Sequence, residues 1–146
     1  MIRPTTLAEL RARGGDLIQA AAAETGSPGI VQWQQLEALE RAGWLLLLAV
    51  EERGELVGYC CAALGAELFS AARSCTAISL FVRPEHRGRW GKQLIEEVDA
   101  AGAARGTDLL RVQAIPGSRL ERLLYRLGFR RRSVAFERVT KGQEMQ

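Results

Sequence analysis

The sequence predicts a mixed α/β (α+β) domain built around one central sheet, and three observations carry this. First, the apolar residues keep a helical period up to Gly43, switch to strand-length runs between Trp44 and Val82, and then alternate between helix and strand patterns. Second, capping-box signatures at Thr6-Leu7-Ala8-Glu9 and Ser118-Arg119-Leu120-Glu121 mark two helix starts. Third, 146 residues with 47% hydrophobic and 25% charged content suit a single domain, residues 1–146, with one sizeable core.

The elements follow in order. The first helix opens at the Thr6 capping box and is interrupted at Gly14-Gly15. Asp16 restarts it and Gly26-Ser27-Pro28-Gly29 ends it. Trp33, Leu36 and Leu39 repeat at helical spacing, with Gly43 as the stop. Trp44–Val50 is an unbroken apolar run, the pattern of a strand buried on both faces. The charged turn 51–55 leads into a second strand, Leu56–Leu64, so the two make a hairpin. Gly65–Ser74 reads as a loop or short helix, and Cys75–Val82 as a third strand closed by Arg83-Pro84. Gly91–Arg105 is the clearest helix, with Leu94, Ile95, Val98 and Ala101 as its apolar stripe and Gly106 as its stop. Leu109–Ile115 is a further strand, ended by Pro116-Gly117. The second capping box starts a helix carrying Leu120, Leu123, Leu124 and Leu127, with Gly128 as C-cap, and Ser133–Val139 is the last expected strand.

Composition narrows the function classes. The formal net charge is +3 and the isoelectric point about 9.1, which favours anionic ligands in general but is too weak to argue for nucleic acid. Three cysteines, Cys60, Cys61 and Cys75, with one histidine, His86, form neither a disulfide framework nor a metal-ligand pattern, so no metal is expected. They read as small core residues in a reducing compartment. The opening MIRPTTLAEL lacks the basic start and apolar stretch of a signal peptide. The longest strongly apolar run, Trp44 to Val50, is far short of the roughly 20 residues a spanning helix needs. The expectation is a cytoplasmic protein with no membrane partner.

The most informative stretch is Leu80-Phe81-Val82-Arg83-Pro84-Glu85-His86-Arg87-Gly88-Arg89-Trp90-Gly91-Lys92. A strand ends, a glycine- and arginine-bearing loop follows, and a helix begins. Unpaired N–H groups and the positive end of the dipole make a helix start a phosphate site. Gly88 and Gly91 would let backbone approach an anion, and Arg87, Arg89 and Lys92 add charge. The same composition also describes a tight turn with solvated basic residues.

This stretch resembles the acyl-CoA loop of the GNAT acetyltransferase superfamily: a hydrophobic-x-Val-x-Pro strand end, then Arg/Gln-x-x-Gly-x-Gly/Ala, then a helix. Leu124-Tyr125-Arg126-Leu127-Gly128-Phe129 resembles the family's late Leu-Tyr-x-x-x-Gly-Phe motif, one residue shorter. The resemblance covers roughly residues 44–139. Leu39–Gly43 and Gly58-Tyr59 ahead of the loop are similar to small phage-associated members. The resemblance implies a GNAT-like fold, a strongly twisted mixed sheet flanked by helices, with acetyl-CoA as co-substrate. It implies contacts to the pantetheine arm from Phe81 and Val82, with the Val82 N–H as oxyanion donor, and to the pyrophosphate from Arg87, Gly88, Arg89, Trp90, Gly91 and Lys92. The loop is one residue short, and Trp90 stands where a small or aliphatic residue is usual.

Acyl transfer from a thioester needs a deprotonated amine, a stabilised oxyanion and a protonated leaving thiolate. Tyr125 matches the family's thiolate-protonating tyrosine and lies about 100° beyond Leu124 on its helix, off the leucine stripe. The position where many relatives carry a glutamate base falls near Thr76, which cannot serve as a base. His86, Glu85, Glu51, Glu52 and a water relay remain open for that role. Arg119, Arg122 and Arg126 share one helix face, and Arg130-Arg131-Arg132 follow. They read as a solvated face, or as contacts to the adenosine 3′-phosphate or an acidic partner. No aromatic residues interleave with them, which argues against an RNA platform. No residue offers itself as a covalent nucleophile. The expected activity is direct transfer in a ternary complex to a primary amine on a small molecule, peptide or protein. The alternative is a weakly active or inactive module of the same fold that binds acyl-CoA or a macromolecular partner. A homodimer is left open.

Overall fold

The computed structural model describes residues 1–26, 30–138 and 140. The expected helix stop at Ser27-Pro28-Gly29 and the expected strand end at Val139 lie outside the described residues. Two compact units, Met1–Gln113 and Ala114–Gln146, are described separately.

The first unit is a five-stranded sheet in the order β1 to β5, from β1 (Ile2–Pro4), β2 (Leu45–Glu52), β3 (Glu55–Ala66), β4 (Arg73–Val82) and β5 (Leu109–Arg111). The first four strands are antiparallel neighbours, and β5 joins β4 in parallel, so the sheet is mixed. The helices are α1 (Leu7–Arg13), α2 (Gly15–Thr25), α3 (Trp33–Arg41) and α4 (Arg87–Ala104).

The unbroken apolar run of β2 does what its pattern demands, burying both faces. Leu46, Leu48 and Val50 pack with Cys60, Ala62, Cys75 and Ala77 against Trp90, Leu94 and Val98 of α4. Leu45, Leu47 and Ala49 pack with Tyr59, Cys61 and Phe81 against Leu7 and Leu10 of α1 and Leu17 of α2. All three cysteines are free and buried within these layers. Burial pushes the Cys61 thiol up to about 11, and raises Cys60 and Cys75 as well, so none is a ready thiolate.

Thr6 Oγ1 accepts from the Glu9 N–H, half of the expected capping box. The Glu9 carboxylate does not return to Thr6. It takes a bidentate bond from Arg3 at 2.7 and 2.8 Å and another from Arg13 at 2.7 Å. Arg3 and Arg13 also reach Glu51, tying β1, α1 and the end of β2 together.

Several boundaries differ from the sequence expectation. Trp44 is half exposed and precedes β2. The loop expected over 65–74 narrows to 67–72, because β3 runs to Ala66 and β4 starts at Arg73. The strand expected over Leu109–Ile115 stops at Arg111. α4 begins at Arg87, four residues before the expected Gly91.

In the second unit, α5 (Arg119–Arg126) opens as expected, with Ser118 Oγ accepting from the Glu121 N–H at 3.2 Å. It ends at Leu127, and Gly128 has a φ of 90° that a side chain would resist. Residues 133–138 form no strand, and Phe136 in that segment is exposed. Among the described residues no helix is long and apolar enough to cross a membrane.

Candidate active site

The site begins with a fault in the sheet. Between Cys61 and Ala62 the β3–β4 register shifts, so that Ile78 is an extra residue on β4. A bulge of this kind bends the strand and stops regular pairing. β5 pairs with β4 only at Ser74, Cys75 and Thr76, so 77–82 run on without a β5 neighbour. The two parallel strands part at the bulge.

The backbone of that free edge can be assigned from the ladder. The Arg83 N–H donates to Val57 O at 2.8 Å, toward β3. Residues of an antiparallel strand alternate in direction, so Phe81 and Ser79 also turn their peptide groups toward β3. Leu80 and Val82 turn theirs to the vacated side. Of these groups, Val82 O already accepts from Arg87 Nε at 2.7 Å. The edge therefore offers the Leu80 N–H and C=O and the Val82 N–H, an arrangement that pairs with an extended chain of amides. Phe81, expected to contribute backbone contacts here, instead spends its N–H on the sheet. Its ring is buried on the α1–α2 side. The Leu80 backbone faces that side instead, a position that no sequence pattern announces.

Beyond β4, Pro84–His86 forms a single 3-10 turn that runs directly into α4. The His86 and Arg87 N–H groups bond back to Arg83 O and Pro84 O. From the fourth residue of a helix onward each N–H joins the ladder, which takes in Trp90, Gly91 and Lys92. The Gly88 and Arg89 amides lie in the first turn of α4, at a helix start with no side-chain cap. A Cβ added to Gly88 would meet nothing within 4 Å, so this is open approach for an anion. Gly88 stays a candidate for anion contact, and the Trp90, Gly91 and Lys92 amides belong to the helical ladder.

The side chains of the segment are engaged elsewhere. The Trp90 ring is buried with the core, and its Nε1 donates to Glu52 Oε2 at 3.2 Å. Glu52 also meets Arg89 at 2.7 Å and His86 Nδ1 at 2.8 Å. The Trp90 hydrogen bond, with the nearby Arg89 and His86 charges, holds the Glu52 carboxyl below its ordinary range. Arg87 pairs with Glu24 at 2.6 Å and lies over the Phe81 ring at 5.3 Å. Lys92 has only Glu96, one helical turn on, at 3.6 Å. The chemistry of this donor set fits a coenzyme A arm and diphosphate through backbone groups. Its arginines must exchange carboxylates for phosphates to join in. His86, Glu51 and Glu52, weighed as bases, sit inside ion-pair networks. Thr76 is the last β4 residue paired with β5. Tyr59 and Ser79, which the sequence left unmarked, share a 2.6 Å hydrogen bond on the α1–α2 side of the sheet. Burial raises the Tyr59 phenol.

In the second unit, Tyr125 is half exposed on α5, off the Leu124 face as the helical wheel requires. With Arg122 and Arg126 it lines a concavity of about 370 Å³.

Solved structures with the same architecture are numerous, and many span nearly the whole chain. An aminoglycoside acetyltransferase from an uncultured soil metagenomic sample is 23% identical, with a TM-score of 0.77 over 97% of this chain and 98% of that one. AAC(6')-Iy in complex with the bisubstrate analog CoA-S-monomethyl-acetylneamine is 21% identical, with a TM-score of 0.75 over 96% and 97%. Glucosamine-6-phosphate N-acetyltransferase from Arabidopsis thaliana is 15% identical, with a TM-score of 0.73 over 95% and 97%. At these identities the likeness speaks for the fold. No curated protein matches the chain. The family model of the acetyltransferase (GNAT) family matches residues 16–129, and the chain therefore belongs to the GNAT acetyltransferases.

Proposed function

We propose that this protein transfers an acetyl group from acetyl-CoA to a primary amine by direct attack, without a covalent enzyme intermediate. The observation that carries the reading is the edge of β4 beyond Thr76, vacated by β5 and ending at the uncapped start of α4. In this reading the Gly88 and Arg89 amides receive the diphosphate. The pantetheine arm then runs back along β4 as a substitute strand. Val82, nearer the diphosphate, meets an amide of the arm, while Leu80, nearer the bulge, offers its N–H to the thioester oxygen. That assignment moves the oxyanion donor from Val82 to Leu80.

The steps follow from the chemistry. The amine nitrogen attacks the acetyl carbonyl carbon and the carbonyl becomes an oxyanion, which a fixed N–H stabilises. Collapse of the intermediate breaks the carbon–sulfur bond. Tyr125 gives its phenolic proton to the departing thiolate, the role the family motif implies. The amine proton leaves to water, because Thr76 occupies the place of a carboxylate base. The buried thiols, raised by burial, support attack without a cysteine intermediate. The family match runs across both units, which supports one acetyltransferase domain over residues 1–146.

A second reading, a module that binds acyl-CoA or a macromolecular partner with little turnover, draws on the Arg87–Glu24 and Arg89–Glu52 pairs, which compete with phosphate. Thermal shift with acetyl-CoA, followed by thiol release on an amine panel, separates the two. Ligand at 100 times its Kd should stabilise by about 2.7 kcal/mol. Tyr125→Phe should keep that shift and lose at least tenfold in kcat. Full activity in that variant removes Tyr125 from the mechanism, and no shift at saturation removes the enzyme reading.

A further inference from the structure

The charges of this chain are distributed unevenly. Residues 114–146 hold eight arginine and lysine residues against three glutamates, whereas residues 1–113 hold twelve against fourteen acids. In the first unit Arg3, Arg11, Arg13, Arg87, Arg89, Lys92 and Arg111 all reach carboxylates. In the second, among the described residues, no arginine has a carboxylate within ion-pair distance. Arg122 makes only a long 3.4 Å contact to Gly117 O. Glu121 is held at the helix start, accepting from the Gly117 N–H at 3.4 Å.

Two of these guanidinium groups flank Tyr125. Arg122 precedes it by three residues and Arg126 follows it by one, so all three lie within about 6 Å along the helix axis. Together they line an open concavity of about 370 Å³. Planar guanidinium forks match phosphate and carboxylate oxygens in pairs. A polycationic acceptor would meet like charge there.

We propose that this concavity binds an anionic group on the acceptor, so that the substrate class is a primary amine that also carries a phosphate or carboxylate. The inference rests on Tyr125 meeting the thioester sulfur. Coenzyme A has phosphates of its own, but the pantetheine arm between its sulfur and diphosphate matches four or five extended residues, roughly 15 Å. An oxyanion held within one helical turn of a phenol at the sulfur therefore belongs to the acceptor. The neighbours named for aminoglycosides and for glucosamine 6-phosphate show that the fold serves amines of either charge, and the arginines point to the second kind.

The test uses the full chain saturated with coenzyme A and small matched amines: O-phosphoethanolamine, β-alanine and ethanolamine. At equal concentration and ionic strength, an anionic amine should raise the melting temperature where ethanolamine does not, and Arg122→Gln/Arg126→Gln should abolish that difference while leaving the acetyl-CoA shift intact. Where turnover is measurable, kcat/KM for the anionic amine should fall at least tenfold in the double variant, through KM. Equal binding of all three amines by the native chain overturns the proposal. So does a double variant that loses affinity for acetyl-CoA but not for 3′-dephospho-CoA, which would assign the arginines to the cofactor's 3′-phosphate. If Tyr125→Phe keeps full turnover while the anion-dependent shift persists, the tyrosine's role fails and the anion site stands.

Discussion

Residues 1–113 and residues 114–138 use the same side chains for opposite ends. In the first region arginines bind the fold together: Arg3 and Arg13 join Glu9 and Glu51, and Arg87 and Arg89 hold Glu24 and Glu52. In the second, arginines are numerous and among the described residues reach no carboxylate. The first region has two apolar layers and the second one buried leucine, Leu124. In the first region seven of the twelve arginine and lysine residues are spent on ion pairs among the described residues. Charges left unspent on a folded surface are free to meet a ligand.

The largest test of this contrast is truncation of a core leucine. Leu94 on α4 is fully buried between sheet and helix, and Leu94→Ala should cost about 3 kcal/mol in urea unfolding. Leu124→Ala should cost less, about 2 kcal/mol, because the residue is less completely enclosed. Equal losses would mean that the second region is as well packed as the first.

The next effect couples packing to the site. A Cβ on Gly58 would meet Phe81 O at 2.8 Å and Val82 Cα at 3.2 Å, both backbone atoms of β4. Gly58→Ala should cost about 1–3 kcal/mol by overpacking. It should also weaken acetyl-CoA binding severalfold, since Val82 must shift. Loss of stability with unchanged affinity would detach the β4 edge from cofactor binding.

Much of this was legible in the sequence. The β2–β3 hairpin, the two caps at Thr6 and Ser118, and the α4 stripe follow from period and capping alone. β1 was not legible: Ile2–Pro4 is three residues with a proline, and it is a strand because Leu48–Val50 present an edge and Arg3 anchors to Glu9 and Glu51. The segment 133–138 shows the converse, since alternating Val134 and Phe136 promise a strand that forms only where a partner row exists. The helix start at Arg87 was hidden because glycine and arginine suit both a loop and a helical turn. Leu80 stayed invisible because backbone amides carry no residue signature.

A smaller effect sharpens the contrast between the arginines. Arg3→Gln removes three hydrogen bonds to Glu9 and Glu51 and should lower the melting temperature measurably. Arg126→Gln, with no carboxylate partner among the described residues, should change stability by less than about 0.5 kcal/mol. A stability loss at Arg126 equal to that at Arg3 would give the second region's arginines a structural role instead of a binding one.

The smallest effect is a pH dependence confined to the first region. Hydrogen bonds from Arg3, Thr5 and Arg13 pull the Glu9 carboxyl down to about 2, and those from Arg3 and Arg13 lower Glu51. A carboxyl with a depressed folded pKa binds its proton more readily in the unfolded chain, so acid favours unfolding. The stability it adds is complete above the unfolded value near 4.5 and is lost as pH falls toward 2. Both groups are solvent-screened, so the slope is shallow and flattens further in high salt. Stability against pH should rise from 2 to about 4.5 in the native chain. Glu9→Gln should remove part of that rise while leaving the curve above pH 5 parallel to the native one. The Arg122→Gln/Arg126→Gln variant should retain the whole slope, because among the described residues those guanidiniums face no carboxylate whose protonation could release them.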